Sequence, residues 1–174
     1  RFPYEVSKAC ADLIAQSYHH AYGLPVAVAR CGNVYGGGDL NWSRLVPGTV
    51  RALLRGQAPV LRSDGTFRRD YLYVRDAAHA YLLLAGALDG DGVAGEAFNF
   101  GPDRPLSALE IVDAVARAVG ANGVEPVIEN RAFGEIHDQW LSPRKAEERL
   151  GWSPAWDLDR GLAETIAWYR DFLG

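Results

Sequence analysis

A chain of 174 residues, 48% of them hydrophobic and 23% charged, holds enough apolar side chains for one globular core. Its net charge of -4 at pH 7, with no block of arginines, argues against a nucleic-acid surface. The longest apolar runs, 80–88 and 26–29, fall short of a bilayer span, and Cys10 and Cys31 lack metal-ligand spacing, so we expect a cytoplasmic protein without membrane contact whose cysteines pack as small apolar thiols.

In chain order, Pro3 can fill a first helical turn, and Val6, Cys10, Leu13, Ile14 and Tyr18 recur at three- and four-residue steps until Gly23. Val26 to Arg30 reads as a short buried strand that ends in a glycine-rich loop. Leu45 to Arg55 is a second helix. The stretch "PVLRSDGTFRRDYLYV" alternates in two runs about Asp64-Gly65, a hairpin signal. Asp76 is expected to cap a helix that runs through Leu88. "EAFNFG" is a strand, and Ser107 to Glu110 forms a capping box that opens a helix to Val119 with Gly120 just beyond. Val124 to Asn130 reads as a strand. Ser142-Pro143 starts a short helix that Gly151 ends, and Asp159 leads into a last helix through Leu173. Strands and helices interleave throughout, so the fold class is α/β.

Three clusters bear chemistry. Tyr4 and Lys8 lie one turn apart on one helix face. A phenol ionises near pH 10, and an ammonium beside it favours the anion, which makes the pair a candidate general base or acid. Only two of the 18 basic residues are lysines, so a lysine at this spacing is a selective feature. "RCGNVYGGG" puts Asn33 just past a strand beside glycines that let backbone approach a ligand; an ordinary turn is the alternative. In "DGTFRRDYLYVRD", Arg68 or Arg69 could fork onto a diphosphate, against the commoner fate of an ion pair with Asp64 or Asp70. His19 and His20 have no metal partner at the right spacing and read as solvent-exposed.

Taken in order, Y-x-x-x-K, R-C-G-N-V-Y-G, L-V-P, D-G-T-F-R-R-D-Y-L-Y-V-R-D and W-L-S-P-R-K-A-E-E-R-L-G-W resemble the C-terminal half of extended short-chain dehydrogenases acting on nucleotide sugars, the NAD-dependent epimerase/dehydratase family. The wording "GLPVAVARCGNVYGGGDLNWSRLVPGT" is most similar to the branch that dehydrates CDP-glucose. The resemblance implies the C-terminal portion of a Rossmann-like parallel sheet, about residues 1–40 with later segments returning to it, interleaved with a small α/β nucleotide-sugar-binding domain. It further implies NAD as a recycled cofactor and a lyase that makes a 4-keto-6-deoxy sugar. Tyr4 would then exchange the proton of the sugar 4-hydroxyl, and Lys8 would hold the nicotinamide ribose and lower the Tyr4 pKa. Cys31, Asn33 and Val34 match the loop that passes the nicotinamide, and Asn33 also meets the nucleotide sugar. Arg44 and Leu45 match the start of the helix beside the base. Arg69 matches the arginine that grips the diphosphate, with Tyr71 beside it, while Arg131, Glu135 and Gln139 fall in the segment that closes over the nucleotide ribose. No metal is implied.

A dinucleotide site needs a glycine-rich turn after a first strand, with the pyrophosphate on the following helix N-terminus, and the chain carries no such pattern. With Arg1 at its start and no methionine, it reads as a single fragment, 1–174, inactive by itself and without the glycine-rich half. An open sheet edge and an uncovered apolar face are expected to drive association, and the family resemblance implies a homodimer through the helix carrying Tyr4 and Lys8. Two competing expectations are a nucleotide-sugar 4-epimerase, which shares Tyr4, Lys8 and Arg69, and a non-catalytic module for nucleotide-sugar binding or dimerisation.

Overall fold

Pro3 at the first turn and Gly23 in the left-handed region (φ 67°) bound helix α1 (Pro3–Tyr22), whose last turn is closed by the Gly23 N–H donating to the His19 carbonyl. The computed structural model describes residues 2–90 and 92–174, leaving Arg1 and Asp91 outside. After α1 come β1 (Val28–Cys31), β2 (Asn33–Tyr35), α2 (Leu45–Leu54), β3 (Val60–Leu61), β4 (Arg68–Arg69), β5 (Tyr71–Tyr73) and α3 (Val74–Gly86). Then follow β6 (Ala97–Phe100), β7 (Leu106–Ser107), α4 (Ala108–Val119), β8 (Val127–Ile128), β9 (Asp138–Gln139), α5 (Arg144–Leu150) and α6 (Leu158–Leu173). The expected α/β class holds, with parallel pairing dominant.

β1 runs parallel to β6, from Val28 opposite Ala97 to Cys31 opposite Phe100, and β2 runs parallel to β5, from Asn33 opposite Tyr71 to Tyr35 opposite Tyr73. The chain changes partner between these strands: the Gly32 N–H donates to the Phe100 carbonyl at 2.9 Å and the Asn33 N–H to the Asp70 carbonyl at 2.9 Å. Two cores result. Tyr35 and Tyr73 pack with Val50 of α2, Ile111 and Val115 of α4, and Leu162 and Ile166 of α6. Leu72, facing the other way, packs with Ala80 and Leu84 of α3, Phe98 and Phe100 of β6, and Trp152.

The capping box is present as expected: Ser107 accepts the Glu110 N–H, Glu110 accepts the Ser107 N–H, and Gly120 closes α4 at φ 85°. α5 ends at Gly151 as expected. Elsewhere the structure departs from the sequence expectations. No hairpin forms about Asp64-Gly65: β3 pairs in parallel with β8, whereas β4 pairs antiparallel with β7 and parallel with β9. The intervening turn is held locally, because Asp64 accepts both the N–H (2.8 Å) and the hydroxyl (2.7 Å) of Thr66. The first strand begins two residues late, at Val28, and the expected strand 124–130 shrinks to β8. Asp157, not Asp159, caps α6 by accepting the Arg160 N–H.

Asp76 is no cap, since α3 already begins at Val74; its buried carboxylate instead accepts the Ala155 N–H (3.0 Å) and the Trp156 N–H (3.1 Å). Its backbone carbonyl accepts the Trp152 indole N–H at 3.4 Å, so one residue ties α3 to the connection leading into α6. His19 is half-buried rather than solvent-exposed, with its Nδ1 2.8 Å from the Leu24 carbonyl, while His20 is exposed as expected.

α1 buries none of its residues. Cys10 is accordingly exposed rather than packed, and Cys31 is half-buried; both are free thiols. The side-chain bond that fastens α1 to the sheet is an ion pair, Arg30 Nε to Asp12 Oδ2 at 2.5 Å, with Gln16 donating to the other Asp12 oxygen. The hydrogen bond from Arg30 holds the Asp12 carboxyl below the usual carboxylate range against a smaller opposing effect of burial.

Two outcomes follow. Asp76→Ala strands the Ala155 and Trp156 N–H groups in the interior and should cost about 3 kcal/mol in urea unfolding; a loss within experimental error would rule out the tether. Asp12 has a lowered pKa in the folded state, so its stabilisation is complete above about pH 4 and is lost as pH falls through the lower folded value. Amide exchange of α1 should therefore speed up below about pH 4 in the parent and lose that step in Asp12→Asn, and a step that survives in the variant would assign it to another group.

Candidate active site

The start of α1 presents Tyr4 and Lys8 to one cleft. Lys8 Nζ lies 5.6 Å from the centroid of the Tyr4 ring, and Tyr4 is 69% exposed, so the phenol is open to a ligand. This cleft, ≈ 910 Å³, lies between α1 and β1, and Tyr4, Lys8, Cys31, Asn33 and Gln139 line it. Ala9, Ala11, Ala15, Ala29 and Gly32 keep its walls shallow. Burial pushes the Cys31 thiol up, which keeps it a neutral wall residue at physiological pH. Glu5 also lines the cleft, and its Oε2 is buried with no hydrogen-bond partner among the described residues.

A second cleft, ≈ 430 Å³, is lined by Asn33, Arg44, Leu45, Arg69, Tyr71 and Glu135. Arg44 precedes α2, so this helix directs its first N–H groups and positive dipole end toward the cleft. The Arg44 guanidinium pairs with Asp39 at 3.0 Å. Arg69 makes neither expected ion pair: its Nη1 donates to the carbonyls of Arg68 (2.8 Å) and His137 (2.8 Å), and its Nη2 donates to that of Ile136. Arg68 donates instead to the Pro105 carbonyl at 3.1 Å. Burial pushes the Tyr71 phenol up to about 12, a shift that Arg69 and a hydrogen bond with Asn33 only partly oppose. Tyr71 is therefore a neutral donor throughout the physiological range.

The structure thus sorts the expected residues into two groups, and Asn33 belongs to both. Gln139, opposite Arg69 in the pairing of β4 with β9, lines the Tyr4 cleft and not the cleft holding Glu135. Val34 and Arg131 line neither cleft. Val34 sits on β2, whose alternation turns it away from Asn33, and Arg131 is taken up by Glu129 at 2.5 Å. Sequence reasoning missed Asp70 in the first cleft and Arg62 and Glu129 in the second. The alternation of "RRDYLY" carried a signal for Asp70, opposite in facing to Arg69 and Tyr71; nothing local marked Glu129. Among the described residues no cluster of three or more His, Cys, Asp or Glu could hold a metal ion, and no helix is long and apolar enough to cross a membrane.

Known proteins share both sequence and architecture with this chain. It is 36% identical over 171 residues to a dTDP-glucose 4,6-dehydratase of Streptomyces antibioticus, covering 97% of this chain and 49% of the relative. It is 30% identical over 183 residues to the CDP-glucose 4,6-dehydratase of Salmonella typhimurium, covering 98% of this chain and 51% of the relative. The crystal structure of a UDP-glucose 4-epimerase from Thermotoga maritima with UDP-glucose superimposes with a TM-score of 0.88 at 29% identity, over 99% of this chain and 54% of that one. The chain spans about half the length of the curated relatives it matches. The sequence model of the NAD dependent epimerase/dehydratase family matches residues 1–101, and the resemblance seen in the motifs is thereby borne out: the chain belongs to that family.

Proposed function

We propose that this chain is the substrate-binding half of a nucleotide-sugar 4,6-dehydratase whose substrate is CDP-glucose. The observation that carries the reading is the meeting of two clefts at Asn33, one with a Tyr-Lys pair and one with arginines and a helix N-terminus. A nucleotide sugar has the same division, a reacting hexose joined through a diphosphate to a base. Arg69 supplies charge-assisted donors to the diphosphate, and Tyr71, held protonated, donates beside it. Arg44 and Leu45 border the base, with Glu135 nearer the ribose.

In the larger cleft the Tyr4 phenolic oxygen exchanges the proton of the sugar 4-hydroxyl, and Lys8, one turn on along α1, holds the nicotinamide ribose beside it. Small walls and two ribose-binding donors, Tyr4 and Lys8, fit the nicotinamide riboside end of NAD, with Cys31 and Asn33 along its path. NAD, when bound, supplies the hydride acceptor that the oxidation needs. Removal of water across C5 and C6 would leave a 4-keto-5,6-ene, and return of the same hydride to C6 with a proton to C5 would give the 4-keto-6-deoxy sugar; the acid and base for the dehydration belong to the other half of such an enzyme.

The CDP assignment rests on the wording of "RCGNVYGGGDLNWSRLVPGT", since identity to the Streptomyces antibioticus dTDP-glucose enzyme, 36%, exceeds the 30% to the Salmonella enzyme. A 4-epimerase is the second reading, favoured by the superposition on the UDP-glucose 4-epimerase. A non-catalytic nucleotide-sugar-binding or dimerisation module is the third reading. We further assign a cytoplasmic protein that dimerises through α1, whose Val6, Leu13, Ile14 and Tyr18 are all exposed, at 49%, 67%, 57% and 50%.

Calorimetric titration of the 174-residue chain should give its tightest binding with CDP-glucose, ahead of UDP-glucose and dTDP-glucose, and Arg69→Ala should weaken it at least about tenfold. Equal affinities would end the CDP assignment alone; no binding of any of the three would end the nucleotide-sugar reading. In sedimentation, the parent should run as a dimer and Ile14→Glu as a monomer, whereas a monomeric parent would sink the α1 interface.

A further inference from the structure

Arg69 and Asp70 are consecutive, yet each holds the same strap, residues 136–141, from a different cleft. From the nucleotide side, the end of the Arg69 guanidinium is spent on the carbonyls of Ile136 and His137, and the Arg68 N–H donates to the His137 carbonyl at 3.0 Å. What remains for a ligand is the side edge of the guanidinium, Nε–H with the second Nη2 hydrogen. From the other side, Asp70 lines the Tyr4 cleft and its Oδ2 accepts the Leu141 N–H at 3.3 Å. Its own carbonyl accepts the N–H of Asn33, the residue common to both clefts.

The site around Asp70 is shaped to hold a carboxylate. The residue is only 3% exposed. A Cβ on Gly32 would lie 2.8 Å from the Asp70 carboxyl, and one on Gly101 would collide with its Oδ2, so both neighbours must be glycine for the side chain to lie where it does. Burial pushes the Asp70 carboxyl up, with Asp103 adding to the effect and Arg69 and the Leu141 N–H opposing it. A buried acid kept in place by two glycines, in a cleft where the proposed chemistry makes no use of it, asks for a role.

We propose that Asp70 is a positioning residue: by pinning Leu141 it fixes the strap that Arg69 grips, so that the diphosphate grip of one cleft and the placement of Gln139 in the other are set together. This rests on the nucleotide-sugar reading above. Asp70 touches no phosphate. It acts on the phosphate through the strap and Arg69, whose guanidinium can offer its side edge only while its end is held by the 136 and 137 carbonyls. The sign of the effect separates this role from plain electrostatics. Removing a carboxylate near an anion site tightens anion binding by charge alone, whereas loosening the strap weakens it.

The test titrates CDP and inorganic pyrophosphate into the 174-residue chain and its Asp70→Ala, Asp103→Asn and Leu141→Pro variants, with amide exchange followed across 136–141. Asp70→Ala, which leaves the Leu141 N–H without its acceptor, should bind both probes at least about fivefold more weakly and exchange faster within 136–141, while α4 and α6 keep their protection. Asp103→Asn, the charge control, should bind them equally or more tightly. Leu141→Pro removes the strap's donor and keeps the carboxylate, so it should weaken binding as Asp70→Ala does, and it carries the test if Asp70→Ala fails to fold. Unchanged or tighter binding by folded Asp70→Ala, or unchanged exchange of the strap, overturns the role of Asp70 and leaves the nucleotide reading intact. Failure of the parent itself to bind either probe overturns both.

Discussion

The two-residue period of an extended chain, applied to Arg69 through Tyr73, is the constraint on which the rest of the molecule depends. Arg69 and Tyr71 face the smaller cleft, Tyr73 continues on their side into the core formed with α2, α4 and α6, and Asp70 and Leu72 face the larger cleft and the core formed with α3 and β6. Five residues thereby divide two cores and two clefts between them. A shift of one residue in this segment would exchange polar for apolar on both sides at once, leaving Asp70 and Arg69 among buried rings. Register here is therefore held by burial on both faces rather than by the ladder bonds of a three-residue strand.

β2 completes the arrangement by changing partner. Because Gly32 bonds toward β6 and Asn33 toward β5, the Asn33 side chain stands where the two strand pairs meet, and that position makes it common to both clefts. Gly32 serves the same junction from the other direction: a side chain there would occupy the volume of the Asp70 carboxyl. The glycine-rich wording around Asn33 is thus explained by crowding between strands as much as by approach to a ligand.

α1 contrasts with the rest. It carries the Tyr4–Lys8 pair but has no buried residue, and its attachment rests on the Arg30–Asp12 ion pair and a short connection to β1. Packing fixes the smaller cleft through well-buried helices, whereas a charged contact on a half-exposed surface fixes the Tyr4–Lys8 end. Exposed ion pairs are weak, so the apolar side of α1, formed by Val6, Leu13, Ile14 and Tyr18, is where further burial would add most to the order of that pair.

Much of this was legible in the amino-acid sequence. The helices were, because capping boxes, terminal glycines and three- and four-residue apolar spacing are local facts that the chain carries with it: Ser107 to Glu110 and the Gly120 stop fell where expected, and so did the α2 and α5 spans. The family of the whole was likewise written in the order of its motifs. Other features were decided only by tertiary structure. Asp64-Gly65 looked like a hairpin because a tight turn is local, but the partners of β3 and β4 come from β7, β8 and β9, 37 to 70 residues away, and no local signal names them. Asp76 looked like a helix cap and Asp70 like an arginine's ion-pair partner until the packed chain brought the N–H groups of Ala155, Trp156 and Leu141 to them. A sequence states which groups must be satisfied; which distant donor satisfies a buried carboxylate depends on elements that meet only when the cores close, and that is why the clefts, unlike the helices, belonged to the fold.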